Sequence, residues 1–113
     1  ATVVLVHHHP SPTTEPAKGA LQDTAALLEI LRPRKQVKAL VFGHTHVWRR
    51  EERDGLHLVN LPAVAYHFDK PQPLGWCRFE PAKAGAGAAI ELRCVAGDRS
   101  KDRERLELTW RGA

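Results

Sequence analysis

Two valine-rich apolar runs limit what this chain can fold into more than any other feature. Residues 2–6 read TVVLV and residues 37–42 read VKALVF. Short continuous apolar runs rich in β-branched residues suit strands covered on both faces, so both are expected to be buried. Between them comes HHHPSPTTEPAKG, whose three prolines and small polar residues require a loop. ALQDTAALLEILR comes next. Its apolar positions Leu21, Ala25, Leu28 and Leu31, with Leu27 and Ile30 beside them, recur at helical spacing until Pro33 ends the pattern. Strand, loop, helix, strand is a βαβ unit, which predicts that the two strands run parallel.

The remainder has a different rhythm. HVWRREER and LHLVNL flank Asp54-Gly55, a strong hairpin signal. LGWCRFE, AAIELRCV and ERLELTW alternate as half-buried antiparallel strands, joined by the loops PAKAGAG and AGDRSKD. Pairing Cys77 with Cys94 across the first of these connections sets Phe79 opposite Leu92 and puts all four on one sheet face. The two cysteines form no CxxC pair and are read as small buried hydrophobes, not as a zinc knuckle or redox motif. The expected organisation is a single partial domain of 113 residues, with a βαβ unit over 1–46 and antiparallel strands and hairpins over 47–113. The fold class is mixed α/β.

Charge excludes some partners. The 17 Lys and Arg exceed the 13 Asp and Glu by four, but they are interleaved with acids, as in WRREERDG and GDRSKDRERLE. That pattern describes solvated strand edges and turns. A nucleic-acid surface would need a basic face with aromatic platforms, and Trp48, Trp76 and Trp110 are scattered. No apolar stretch approaches the ~20 residues of a membrane helix. The first residues have no basic lead and no cleavage site of a signal peptide.

Both strands of the βαβ unit run into histidines. Val6 precedes His7, His8 and His9, and Phe42 precedes Gly43, His44, Thr45 and His46. Parallel strands place their carboxyl ends at one edge of the sheet, where ligands bind in open α/β sheets. The two clusters are therefore expected to converge. Imidazole is the commonest side-chain ligand for zinc and similar ions. In extended backbone His44 and His46 would face the same way, whereas a tight turn would splay them toward two adjacent centres. Gly43 is expected to permit that turn, and Thr45 needs only to be small.

VHHHP at a strand end, then a helix, then GHTH at the next strand end, resembles the last two metal blocks of the calcineurin-like metallophosphoesterases. The downstream RDGLHLVNLPAVAY and LGWCRFE segments are similar to those after the GHxH block in many members. The resemblance implies the C-terminal half of a four-layer α/β/β/α sandwich. It also implies a binuclear, metal-dependent hydrolase of phosphoric mono- or diesters. The family's lone histidine stands two residues before a proline, which assigns that part to His8. By the same analogy His44 shares a metal with His8, His46 belongs to the second metal, and His9 stands near the substrate. The implied cofactors are two ions drawn from manganese, iron or zinc.

The family's D-x-H, G-D-x-x-D and G-N-H-[DE] blocks do not occur. AGDRSKD holds a Gly-Asp, but it comes after the GHxH and its second aspartate is one position too far, so it is rejected as a ligand block. The missing blocks are expected upstream of Ala1. They would carry the bridging carboxylate that offsets the repulsion of two cations roughly 3.5–4 Å apart. The chain alone is therefore expected to bind metal weakly and to lack hydrolytic activity. Its expected partners are a phosphate ester substrate and the N-terminal half of the same domain, or a second copy covering an exposed sheet. Two other functions stand beside this one. One is a non-catalytic metal-binding or structural module. The other is a mononuclear zinc hydrolase using His8, His44 and His46.

Other residues take plainer roles. His7 and His9 can serve as loop histidines, His57 and His67 as structural ones, and Asp69 as a turn former. Trp48 is expected to pack, and Arg49 and Arg50 to line a solvated edge.

Overall fold

A fully covered strand organises the molecule. The computed structural model describes residues 1–13, 15–68 and 71–112. Strand β2 (Val37–Phe42) is buried at all six positions. It pairs in parallel with β1 (Thr2–Leu5) on one side and with β4 (Leu56–Asn60) on the other. β3 (Arg49–Arg53) closes the sheet antiparallel to β4, giving the order β1-β2-β4-β3. The β3–β4 turn is Asp54-Gly55, with φ of 53° and 74°, the paired positive values that a two-residue hairpin needs.

Helix α1 (Thr24–Leu31) covers one face of this sheet. Leu28 and Leu31 pack with Leu40, Phe42, Leu56 and Leu58. The wholly buried Leu40, Leu56 and Leu58 contribute about 1.5–3 kcal/mol each by leaving water. A second sheet, β5 (Pro73–Pro81), β6 (Gly87–Gly97) and β7 (Arg105–Thr109), covers the other face. There Ala39, Val41 and Val59 meet Ile90 and Leu108. The layers are helix, sheet and sheet, a mixed α/β fold in which the two parallel pairings, β1–β2 and β2–β4, lie side by side.

Polar contacts join the layers. Buried His57 on β4 bonds through Nε2 to the Thr109 carbonyl at 2.7 Å, a structural role as its sequence setting implied. The Arg111 guanidinium donates to the carbonyls of Val37, Leu31 and Arg34 at 2.9, 3.0 and 3.1 Å. Lys38, buried on β2, donates back to the Arg111 carbonyl. Trp48 packs against the inter-sheet cluster and donates to Glu104 at 3.0 Å. Arg49 and Arg50 lie on the exposed edge.

Three expectations need correction. β1 is not buried. It is an edge strand with β2 on one side and, among the described residues, no strand on the other. Leu5 is 74% exposed. The helix starts at Thr24 and not near Ala20, because the preceding residues are held by the histidine loop. The Leu21 amide donates to the His9 carbonyl at 2.8 Å, and the Thr24 hydroxyl accepts from the Ser11 amide at 2.9 Å. The β5–β6 register differs by two residues, with Cys77 opposite Leu92, Phe79 opposite Ile90 and Cys94 opposite Gly75. The cysteines still share a face and are free thiols, and burial foremost raises the Cys77 pKa to about 12. Asp98 and Asp102 of AGDRSKD brace this turn, Asp98 accepting from the Ser100 amide and Asp102 from the Cys94 amide on β6. Asp69 lies outside the described residues. No helix is long and apolar enough to cross a membrane among the described residues.

Candidate metal centre

The carboxyl ends of β1, β2 and β4 lie at one edge of the first sheet, because all three run parallel. Each ends in a loop that continues the ladder for one more bond before leaving it. Val6 donates to the Val41 carbonyl at 3.0 Å, Gly43 to the His7 carbonyl at 3.1 Å, and Leu61 to the Phe42 carbonyl at 2.8 Å. The His7–His9 and Gly43–His46 segments are thereby tied together at their roots.

The rings converge accordingly. Centroids of His8 and His44 are 4.5 Å apart, His7 and His44 5.2 Å, and His7 and His8 5.0 Å. One ring nitrogen from each of His7, His8 and His44 lies within 4.8 Å of the others. His9 stacks on His44 at 5.5 Å with 14° between planes. His46 turns elsewhere. It stacks on Phe68 at 4.2 Å and 9°, with Tyr66 edge-on at 4.8 Å. The structure therefore brings His8 and His44 together, adds His7 to them, and sets His46 on the other side of the turn.

Backbone conformation causes this divergence. His44 and His46 have φ of 72° and 58°, left-handed values that non-glycine residues rarely hold. Gly43, expected to make the turn, has no positive φ, and a Cβ there would meet nothing within 4 Å. The bend falls on the histidines themselves. Thr45 is more than small, since its hydroxyl donates to Asn60 Oδ1 at 2.6 Å and pins the turn to the end of β4.

Electrostatics keep part of the group uncharged. Burial first, then the His8 and His7 charges, lowers the His44 pKa, while a Gly19 backbone contact opposes the shift. Burial and then His44 and His8 lower that of His9. Neutral imidazole is the form that binds a metal. Among the described residues, Nδ1 of His9 and of His46 are buried without a hydrogen-bond partner, and orphaned buried nitrogens cost free energy unless something binds them. Three clustered nitrogens, two more left unpaired and a depressed pKa fit a borderline cation such as zinc.

Tyr66 and Phe68 were missed in the sequence. The aromatic pair was visible in LPAVAYHF. Its proximity to the histidines depends on β4 running parallel to β2, which a five-residue apolar stretch cannot announce.

No family model matches this chain. Among curated proteins it is 32% identical over 90 residues to the 3',5'-cyclic adenosine monophosphate phosphodiesterase CpdA of Haemophilus influenzae, covering 70% of this chain and 32% of that one. It is 32% identical over 83 residues, at the same coverages, to a probable cyclic nucleotide phosphodiesterase of Synechococcus. The chain belongs to the calcineurin-like metallophosphoesterases. Its fold is similar to that of Vps29 from Entamoeba histolytica, solved with zinc. The TM-score is 0.54 at 18% identity, over 85% of this chain and 52% of that one. The chain spans about a third of the length of the curated relatives it matches.

Proposed function

We propose that this chain is the histidine-bearing part of a binuclear phosphoesterase that hydrolyses phosphoric mono- or diesters. The convergence of His8 and His44 from two parallel strand ends carries the reading. His8 and His44 would hold one ion and His46, on the far side of the bend, the other. Bound ions would supply a water of lowered pKa and a clamp for the phosphoryl oxygens. The protein's part is to present neutral imidazoles from fixed strand ends. His9, stacked on His44, would contact a substrate oxygen in this reading. The relatives' cyclic nucleotide activities make a nucleotide phosphodiester the favoured substrate.

The chain alone is proposed to be inactive. The clustered group is three imidazoles with no carboxylate among the described residues, and two cations without a bridging anion repel each other. The open edge of β1 and the apolar groove of Val3, Leu5, Val41, Cys77, Phe79 and Ile90 would receive the carboxylate-bearing half of the domain. Turnover of bis-p-nitrophenyl phosphate with manganese or zinc tests both claims. The expected result is none from residues 1–113 alone, and activity once the polypeptide encoded immediately upstream is supplied. That upstream sequence is expected to contain D-x-H. Turnover by the chain alone, or an upstream sequence without ligand carboxylates, would contradict the proposal.

A further inference from the structure

The loop after β4 brings an aromatic surface to the histidine edge that no metal chemistry requires. Tyr66 and Phe68 lie in contact, ring centroids 5.6 Å apart and 81° between planes. Phe68 lies flat on His46 at 4.2 Å, and Tyr66 meets the same imidazole edge-on at 4.8 Å. Both remain largely in water, 59% exposed for Tyr66 and 63% for Phe68. Large aromatic rings ordinarily cover most of their surface in a core. Here two neighbours stay open side by side. A depression beside Tyr66 is lined by His7, His44, His46, Pro62, Val64 and Tyr66, and Phe68 stands just outside it, in contact with Tyr66 and His46. One wall of that depression carries the imidazoles of His7, His44 and His46, and the other is apolar and aromatic.

A ligand that fills both walls carries an anionic phosphoryl group and, a short linker away, a flat π-system. We propose that Tyr66 and Phe68 form a stacking subsite for the nucleobase of a nucleotide phosphoester, and that this loop determines substrate preference. The assignment rests on the phosphoesterase reading for the phosphoryl side, while the aromatic side stands on its own geometry. Stacking discriminates poorly between bases because each has a π-face. The loop should therefore select nucleotides over phosphosugars, without choosing sharply among nucleotides.

The test compares three probes on the 113-residue chain by NMR: adenosine, adenosine 5'-monophosphate and ribose 5-phosphate, each with and without zinc. Adenosine and the monophosphate are expected to move the ring signals of Tyr66 and Phe68, and ribose 5-phosphate is not. The monophosphate should bind about tenfold more tightly than ribose 5-phosphate, the advantage one stacked base gives. Tyr66→Ala should remove most of that advantage and Tyr66→Trp should restore it, with the amide signals of β2 unchanged as the check on folding. Absence of ring shifts with either base-bearing probe would overturn the subsite, whatever ribose 5-phosphate does. Failure of ribose 5-phosphate with zinc to perturb His8 and His44 would instead count against the phosphoryl side. Adenosine shifts would still uphold the stacking surface in that case.

Discussion

His44 holds a φ of 72° with a full side chain on it. A left-handed backbone costs a non-glycine residue roughly 1–2 kcal/mol, and strain of this kind persists where the surroundings enforce it. Here the enforcing contacts are the Gly43 amide on the His7 carbonyl and the Thr45 hydroxyl on Asn60. The strain separates the rings of His44 and His46, so it serves the site at the expense of stability. In the metal-free chain, His44→Gly should therefore be more stable than His44→Ala by about 0.5–1 kcal/mol, after glycine's extra unfolded-state entropy is subtracted. Urea midpoints of the two variants measure the difference. Equal midpoints, or a lower one for glycine, would mean that the backbone there is unstrained.

Strands and loops show where pattern informs and where it does not. The βαβ unit and its parallel strands are legible in two valine runs and one helical stripe, and with them the meeting of His8 with His44. The β5–β6 register is not legible. Side chains alternate with period two, so a slip of two residues keeps every residue on its own face and leaves the pattern unchanged. The observed register, irregular between Leu74 and Gly75, brings backbone close at Gly75, where an added Cβ would stand 2.1 Å from the Arg93 carbonyl oxygen. Gly75→Ala is expected to lower the unfolding free energy by about 1–3 kcal/mol through forced backbone displacement, read from chemical denaturation. An unchanged midpoint would show that this close approach is not required. The helix start was equally hidden, because Leu21 and Thr24 are engaged by the distant loop residues His9 and Ser11.

At the scale of the whole molecule, three layers are built on one buried strand, and the parallel strands β1, β2 and β4 deliver their loops to a common edge. An apolar run says that a strand needs cover without saying which polypeptide provides it, and so β1 reads as buried while Leu5 stands in solvent. The second sheet shapes no ligand. It packs against the first one through Ile90 and Leu108, with the His57 and Arg111 hydrogen bonds tying the layers together. Two strand ends, separate in sequence, thus bring His8 and His44 to one point, the metal position proposed above. Manganese titration with observation of the histidine ring protons probes that position without intermediaries. His8 and His44 signals are expected to broaden together at the same small fraction of added manganese, while those of buried His57 stay sharp. Broadening of His44 with His8 unaffected would show that the two strand ends do not share an ion.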